Sequence, residues 1–167
     1  MKRVETFIEE LLFASRWLLV PFYLGLAVCI GLLLVKFGKE FLHFVEYVFT
    51  GTSNDVVIGL LTLIDVVLLA NLLIIIIFAG YENFVSKIDT GGHEDRPDWM
   101  GHVSFSDLKM KLIGSIVAIS GIELLKAFVN VENFTDAQLA WKVGIHLTFV
   151  ISGLLFAVGD WLTHKKH

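Results

Sequence analysis

The 167-residue sequence contains one cysteine, Cys29, which lies within an apolar run. A single thiol excludes an intrachain disulfide, and without a CxxC neighbour it indicates neither a metal site nor redox chemistry. Proline is almost as rare, and Pro21 falls in the first turns of a predicted helix, where its missing N–H costs least. We therefore interpret Cys29 as a small packing or lipid-facing side chain.

Motifs that carry catalytic or nucleotide chemistry are also lacking: the sequence has no Walker loop, no GxGxxG and no Ser-His-Asp arrangement. His93, Glu94, Asp95 and His102 match no HExxH or Cys/His spacing, so they are interpreted as solvated loop residues. Haem between helices needs facing histidines, and only His146 lies well inside an apolar run. We expect no enzymatic activity, no metal site and no cofactor.

Positive charge is scarce, whereas apolar side chains are abundant. The net charge is −4, and no basic patch with interleaved aromatic residues is present, so nucleic acid is excluded as a partner. Apolar residues make up 56% of the chain, with a mean hydropathy of +0.75, against about 45–50% apolar residues in ordinary soluble domains. A small chain cannot hide this surface from water, so the excess must face lipid.

Four apolar runs are long enough to cross a hydrocarbon core of about 30 Å as helices. Lipid offers no partners for backbone N–H and C=O groups, so every crossing must be helical. The first run is longer than the apolar part of a signal peptide, which has about 7–15 residues. We predict an all-α membrane protein, one domain over residues 1–167, whose four transmembrane helices form a bundle, with spans at about 17–35, 56–80, 112–129 and 139–162.

Amphipathic segments flank the first span. Residues 1–16 have apolar side chains at helical spacing and predict a helix lying at the membrane interface. Residues 36–49 show the same pattern and predict an interfacial or protruding helix, which the turn at 51–55 ends while supplying caps for the next helix. The polar stretch at about 82–107 is predicted to be a loop outside the bilayer.

Lysine and arginine residues near the span ends predict the orientation. Nine lie on the side of the two termini and of the 82–107 loop, and three on the other side. Cytoplasmic segments carry the excess of Lys and Arg, so both termini and this loop are predicted to be cytoplasmic. The nine are Lys2, Arg3, Arg16, Lys87, Arg96, Lys109, Lys111, Lys165 and Lys166, and the three are Lys36, Lys39 and Lys142.

Ionisable residues from three spans fall at similar depths in the outer half of the predicted bilayer. Asp65 is roughly 13 Å below the outer surface and Glu123 roughly 9 Å, at about 1.5 Å per residue. Lys126 is one turn from Glu123, and His146 has a comparable height. A charge in hydrocarbon costs at least about 2.5–3.5 kcal/mol, so we predict that these four side chains face one another. Two interpretations of the cluster are open. It is either a site through which protons or cations pass, or a polar staple that joins three spans.

A second polar set is predicted at the cytoplasmic boundary. The heights of Arg16, Glu82 and Asp160 allow the guanidinium to pair with either acid, which would fix where spans one, two and four meet. Asn83 follows Glu82 directly and can cap carbonyl groups at the end of span two. An architectural role is favoured, with gating or lipid-headgroup contact as the alternative.

Small residues recur at the spacing that lets membrane helices approach closely. They predict packing faces, either inside the bundle or between protomers. A four-helix chain has little room for a conduit of its own, so transport would require a homo-oligomer. The small residues are Gly114 and Ala118 on span three, and Gly144, Thr148 and Ser152 on span four.

Four segments across most of the chain resemble the YqhA family of small bacterial inner-membrane proteins: ASRWLL at 14–19, GYENFVS at 80–86, SIVAIS at 115–120 and IHLTFV at 145–150. The GYENFVS run is the most specific, because hydrophobicity alone would not produce it. The resemblance implies a multi-span protein of the bacterial inner membrane whose function is uncharacterised. It supports the predicted topology and implies no mechanism.

Two functional hypotheses follow. In the first, a homo-oligomer conducts ions or protons through the polar cluster. In the second, the protein is a structural or accessory membrane protein that packs against partners through its small-residue faces. The expected partners are the lipid bilayer, further copies of the chain and, in the first hypothesis, an ion or proton. Conduction needs a hydrated path to Asp65 or Glu123, whereas a staple can be dry and fully paired.

Overall fold

The computed structural model describes residues 2–86 and 105–164, and within these ranges the regular structure is entirely helical. The predicted all-α fold is therefore confirmed. Two short 3₁₀ turns, Arg16–Leu19 and Val131–Asn133, connect longer helices. The α-helices are α1 (Lys2–Ser15), α2 (Val20–Thr50), α3 (Ser53–Phe84), α4 (Phe105–Val129) and α5 (Asp136–His164).

Four helical segments have the length and composition of membrane spans: Ile8–Thr50, Ser53–Phe84, Leu108–Val129 and Asp136–Thr163. Each contains one of the four predicted apolar runs, so the predicted number of membrane-spanning helices is confirmed. A span needs about 20 residues, and the shortest of the four has 22. Residues 87–104 of the predicted polar loop, including His93, Glu94, Asp95 and His102, lie outside the described residues.

The first span and the amphipathic segment 36–49 form one helix instead of two. α2 has 31 residues and is about 46 Å long at about 1.5 Å per residue, well beyond a hydrocarbon core of about 30 Å. Polarity changes at Lys36 and Gly38 follows two residues later, yet the helix is unbroken, and Lys36 Nζ donates to Glu40 Oε1 at 3.2 Å within it. A continuous helix of this length favours the protruding alternative over the interfacial one, and the position of the segment relative to the membrane stays a prediction.

Reciprocal capping bonds begin two of the long helices. At the start of α3 the Thr52 amide donates to Asp55 Oδ2 at 2.8 Å, and the Asp55 amide donates to Thr52 Oγ1 at 3.3 Å. These are the caps expected from the turn at 51–55. At the start of α5, Thr135 and Gln138 exchange the same pair of bonds at 3.0 and 3.3 Å. This second cap lets α5 begin three residues before the predicted span.

The long helices pack in series along the chain. α2 packs against α3, α3 against α4, and α4 against α5, whereas described residues of non-consecutive long helices have at most marginal contact. Glycines permit two of these approaches: a Cβ on Gly59 of α3 would lie 3.0 Å from Phe44 of α2, and one on Gly153 of α5 would lie 2.9 Å from Ile113 of α4. α3 and α4 are thus covered on two sides, and α2 and α5 on one.

Serial packing leaves a small core. Large apolar side chains are exposed along all four long helices, and Cys29 is exposed as well, in agreement with a lipid-facing thiol. In a membrane this surface is solvated by acyl chains or by another protein chain. The buried apolar residues lie mainly on α3 and α4: Leu61, Leu63, Val66, Ala79, Val85, Leu108 and Ala127.

Candidate functional site

Lys126 on α4 joins two acids from two helices. Its Nζ donates to Asp65 Oδ2 of α3 at 3.2 Å and to Glu123 Oε1, one turn earlier on α4, at 2.9 Å. The i, i+3 spacing places Glu123 and Lys126 on one face of α4, and the packing of α3 against α4 brings Asp65 to the same point. Three of the four residues predicted to form the outer cluster are thus in direct contact.

Lys142 extends this contact to a third helix. Its Nζ lies 3.9 Å from Glu123 Oε2 and 5.2 Å from the centroid of the Phe134 ring. From the sequence, Lys142 is predicted only as a flanking positive charge. Lys142 lies within the predicted fourth span, one turn before His146 and on the same helix face. This position indicates that Lys142 faces the cluster. We call Asp65, Lys126, Glu123 and Lys142 the charged chain.

His146 lies beside the charged chain and makes a different contact. Its Nδ1 is 2.9 Å from Ser120 Oγ on α4, and the ring packs over Gly121, where a Cβ would lie 3.5 Å from Cε1. No ion pair joins His146 to an acid among residues 2–86 and 105–164. The structure therefore separates the predicted cluster into a charged chain and a neighbouring His146–Ser120 hydrogen bond.

Exposure is higher at the Glu123–Lys142 end of the charged chain than at the Asp65–Lys126 end. The side chains of Lys126 and Asp65 are 18% and 19% exposed, Lys142 is 32% exposed, and Glu123 is 49% exposed. Asp65 Oδ1 is shielded and has no hydrogen-bond donor in the described part of the protein. The two acids and two lysines balance in charge, which makes their burial less costly. The exposed half of Glu123 still requires water or protein, because acyl chains cannot solvate a carboxylate.

The pairing predicted at the other end of the spans does not form. The Arg16 guanidinium lies over the Phe13 ring, 4.1 Å from its centroid, and is not within ion-pair distance of Glu82 or Asp160. Both acids have other interactions. A cation–π contact one turn away needs no tertiary alignment, and it takes the place of the predicted ion pair. Asn83 Nδ2 donates to the Ala79 carbonyl at 2.7 Å, one turn back within α3, so this bond does not cap the terminal carbonyl groups, and the capping role stays a prediction.

The start of the GYENFVS run forms a close contact between α2 and α3. Tyr23 packs directly on Gly80, where a Cβ would lie 2.8 Å from the phenolic oxygen, and it meets Tyr81 edge-on with ring centroids 6.2 Å apart. Any side chain at position 80 would push the Tyr23 ring away. Gly80 and Tyr81 therefore have a structural role in joining the first two spans.

Most of the predicted small-residue faces do not pack inside the protein. A Cβ on Gly114 or Gly144 would meet nothing within 4 Å, Ala118 is exposed, and Thr148 is exposed while donating to the Gly144 carbonyl at 2.8 Å. Ser152 is half-buried. Gly114 and Ala118 instead line an open groove of about 550 Å³ between α3 and α4. Their role between protomers stays a prediction.

Among residues 2–86 and 105–164, no three His, Cys, Asp or Glu side chains form a group able to hold a metal ion.

Comparison with known proteins agrees with the sequence resemblance. No solved structure matches the chain. The family model of the uncharacterised protein family UPF0114 matches residues 12–128, which include Asp65, Glu123 and Lys126 but end before α5. The chain belongs to this family, which is the YqhA family identified from the four segments.

Proposed function

We propose that the protein is a homo-oligomeric, ion- or proton-conducting protein of the bacterial inner membrane, with both termini in the cytoplasm, in which the charged chain lines the pathway. The observation that supports it is a row of four ionisable side chains from three spans, whose more exposed end contains a half-exposed carboxylate, Glu123. This role needs neither a catalytic residue nor a cofactor. The excess of Lys and Arg at the termini supports the orientation.

A hydrated pathway accounts for the exposure of Glu123. Isolated charges cost at least about 2.5–3.5 kcal/mol in hydrocarbon, and pairing within one chain leaves the outer side of Glu123 uncovered. The serial helix packing encloses no conduit among the described residues. Water therefore has to be held between copies of the chain, with Glu123 and Lys142 facing the shared space.

The contacts also suggest how an ion moves along the charged chain. Lys126 bridges Glu123 and Asp65, so a proton or cation that neutralises Glu123 weakens its attraction for the ammonium group. Lys126 then moves toward Asp65, whose Oδ1 lacks a donor. When the proton or cation passes from Glu123 to Asp65, the Lys126 ammonium group returns toward Glu123. Each step exchanges one charge-assisted hydrogen bond for another.

A structural or accessory membrane protein is the second candidate. It is favoured by the pairing of both acids with lysines within one chain. A fully paired set can join α3, α4 and α5 as a dry staple, with no ion passing. The protein would then act through contacts with partner proteins along its exposed small-residue faces.

Flux through purified protein in liposomes, reported by an enclosed pH-sensitive dye under an imposed potential, distinguishes the two. We expect flux above that of empty liposomes, reduced in Asp65→Asn and Glu123→Gln. Glu132→Gln is the matched control, because Glu132 is exposed in the 3₁₀ turn outside the charged chain. Wild-type flux equal to that of empty liposomes would reject conduction, and flux unchanged by Asp65→Asn would reject a role of the charged chain in it. A stoichiometric partner crosslinked in native membranes would then support the accessory role.

A further inference from the structure

A groove of mixed charge lies where α1 meets the first span. It has a volume of about 400 Å³ and is lined by Glu9, Glu10, Phe13, Ala14, Arg16 and Trp17. These residues recur at three- and four-residue spacing, so they share one side of α1 and of the 3₁₀ turn that follows it. The groove shares no residue with the charged chain.

Arg16 is the one charged residue in this groove that is held in place by a neighbour. Its guanidinium is 4.1 Å from the Phe13 ring centroid, which draws it back toward Glu9 and Glu10. Even so, it makes no ion pair with either acid, and in the described part of the chain its shielded Nε has no acceptor. The guanidinium is thus positioned and left without an anion.

The groove lies at the depth of lipid headgroups. Arg16 directly precedes the apolar run that begins at Trp17, and the 3₁₀ turn that contains both residues contacts α3. Seven residues further on, Tyr23 meets Tyr81 near the end of α3. Trp17 is exposed, and exposed tryptophans at such positions lie at the membrane interface.

We propose that this groove binds the headgroup of a zwitterionic aminophospholipid, such as phosphatidylethanolamine, from the adjoining leaflet. The phosphate accepts hydrogen bonds from the Arg16 guanidinium, whose planar fork suits phosphate oxygens. The primary ammonium donates to the carboxylates of Glu9 and Glu10, and the glycerol and upper acyl chains lie along Phe13 and Trp17. A purely anionic headgroup fits less well, because the two acids repel it.

Lipid retention by the purified full-length protein, measured by native mass spectrometry, tests the assignment. The probes are phosphatidylethanolamine, phosphatidylcholine, whose ammonium has no N–H, and phosphatidylglycerol, which has no ammonium. A lost charge-assisted hydrogen bond corresponds to about tenfold in affinity. We therefore expect phosphatidylethanolamine to be retained about tenfold better than the other two.

Variants assign the preference to the groove. Arg16→Gln should reduce retention of phosphatidylethanolamine about tenfold, and the double variant Glu9→Gln, Glu10→Gln should abolish its preference over phosphatidylcholine. Lys39→Gln removes one positive charge and Glu46→Gln one negative charge from α2, away from the groove, and neither should have an effect. Because Glu9 and Glu10 are exposed, their double variant also serves if Arg16→Gln does not fold.

Three results would overturn the proposal. Equal retention of all three lipids would remove the site. Preferential retention of phosphatidylglycerol, lost in Arg16→Gln alone, would make the groove a simple anion site. Retention of phosphatidylethanolamine unchanged in both groove variants would place the lipid elsewhere on the protein.

Discussion

Replacing Lys126 by methionine tests the charged chain as a set of coupled interactions. The change keeps a long side chain but removes the ammonium group that binds both Asp65 and Glu123. Glu123 keeps Lys142 at 3.9 Å and is half exposed, whereas Asp65 is 19% exposed and loses the one donor that the structure gives its carboxylate. Most of the cost therefore falls on Asp65.

The magnitude follows from the environment of Asp65. Breaking a buried ion pair costs about 3–5 kcal/mol, and an acid left in the membrane costs at least about 2.5 kcal/mol. Because about a fifth of each side chain is exposed, we expect Lys126→Met to lower the free energy of unfolding by about 2–4 kcal/mol. The double variant Asp65→Leu, Lys126→Met should recover most of this, since an apolar pair leaves no unpaired charge.

Unfolding of the protein in bicelles, followed by steric trapping, measures these free energies. Lys36→Met is the control, because it breaks an exposed pair with Glu40 and should cost no more than about 0.5 kcal/mol. If the double variant is as unstable as Lys126→Met alone, Asp65 and Lys126 are not coupled and the reasoning is refuted.

Two further predictions concern helix packing and capping, and the same unfolding measurement checks both. Gly80→Ala should be about 1–3 kcal/mol less stable than Gly25→Ala, because the added methyl group meets Tyr23 in the first variant and open space in the second; equal stabilities would contradict the contact. Thr52→Ala should cost about 1 kcal/mol through loss of the cap on α3. Thr50→Ala, which removes only a bond within α2, should cost less, and an equal cost would argue against the cap.

The number of spans could be predicted from sequence because the requirement is local. Any run of about 20 apolar residues has to be helical in lipid, whatever it packs against. The end of the first span could not be placed in the same way. Polarity at Lys36 sets the end of the predicted span, but the helix itself ends only at Gly51. Solvation and helix continuity are separate properties, so the end of the apolar run does not predict the end of the helix.

Contacts of the candidate site that depend on depth along a helix could be predicted from the sequence. Contacts that depend on which side of the helix a residue occupies could not. Asp65, Glu123 and Lys126 share a level and meet. His146 also shares it, but its side of α5 faces Ser120, and Lys142 takes the place beside Glu123. Small-residue spacing has the same ambiguity, because Gly153 contacts α4 closely while Gly144 faces open space.

Water access to Glu123 is the most direct test of whether the charged chain lines a hydrated pathway. In a Cys29→Ser background, Glu123→Cys should react with a membrane-impermeant thiol reagent added to the periplasmic side. Leu125→Cys is the matched control, since Leu125 is on the same helix, 45% exposed, and closer to the outer end of α4. The account predicts labelling at position 123 and none at 125. If Glu123→Cys is as unreactive as Leu125→Cys, the result would contradict a hydrated pathway at Glu123.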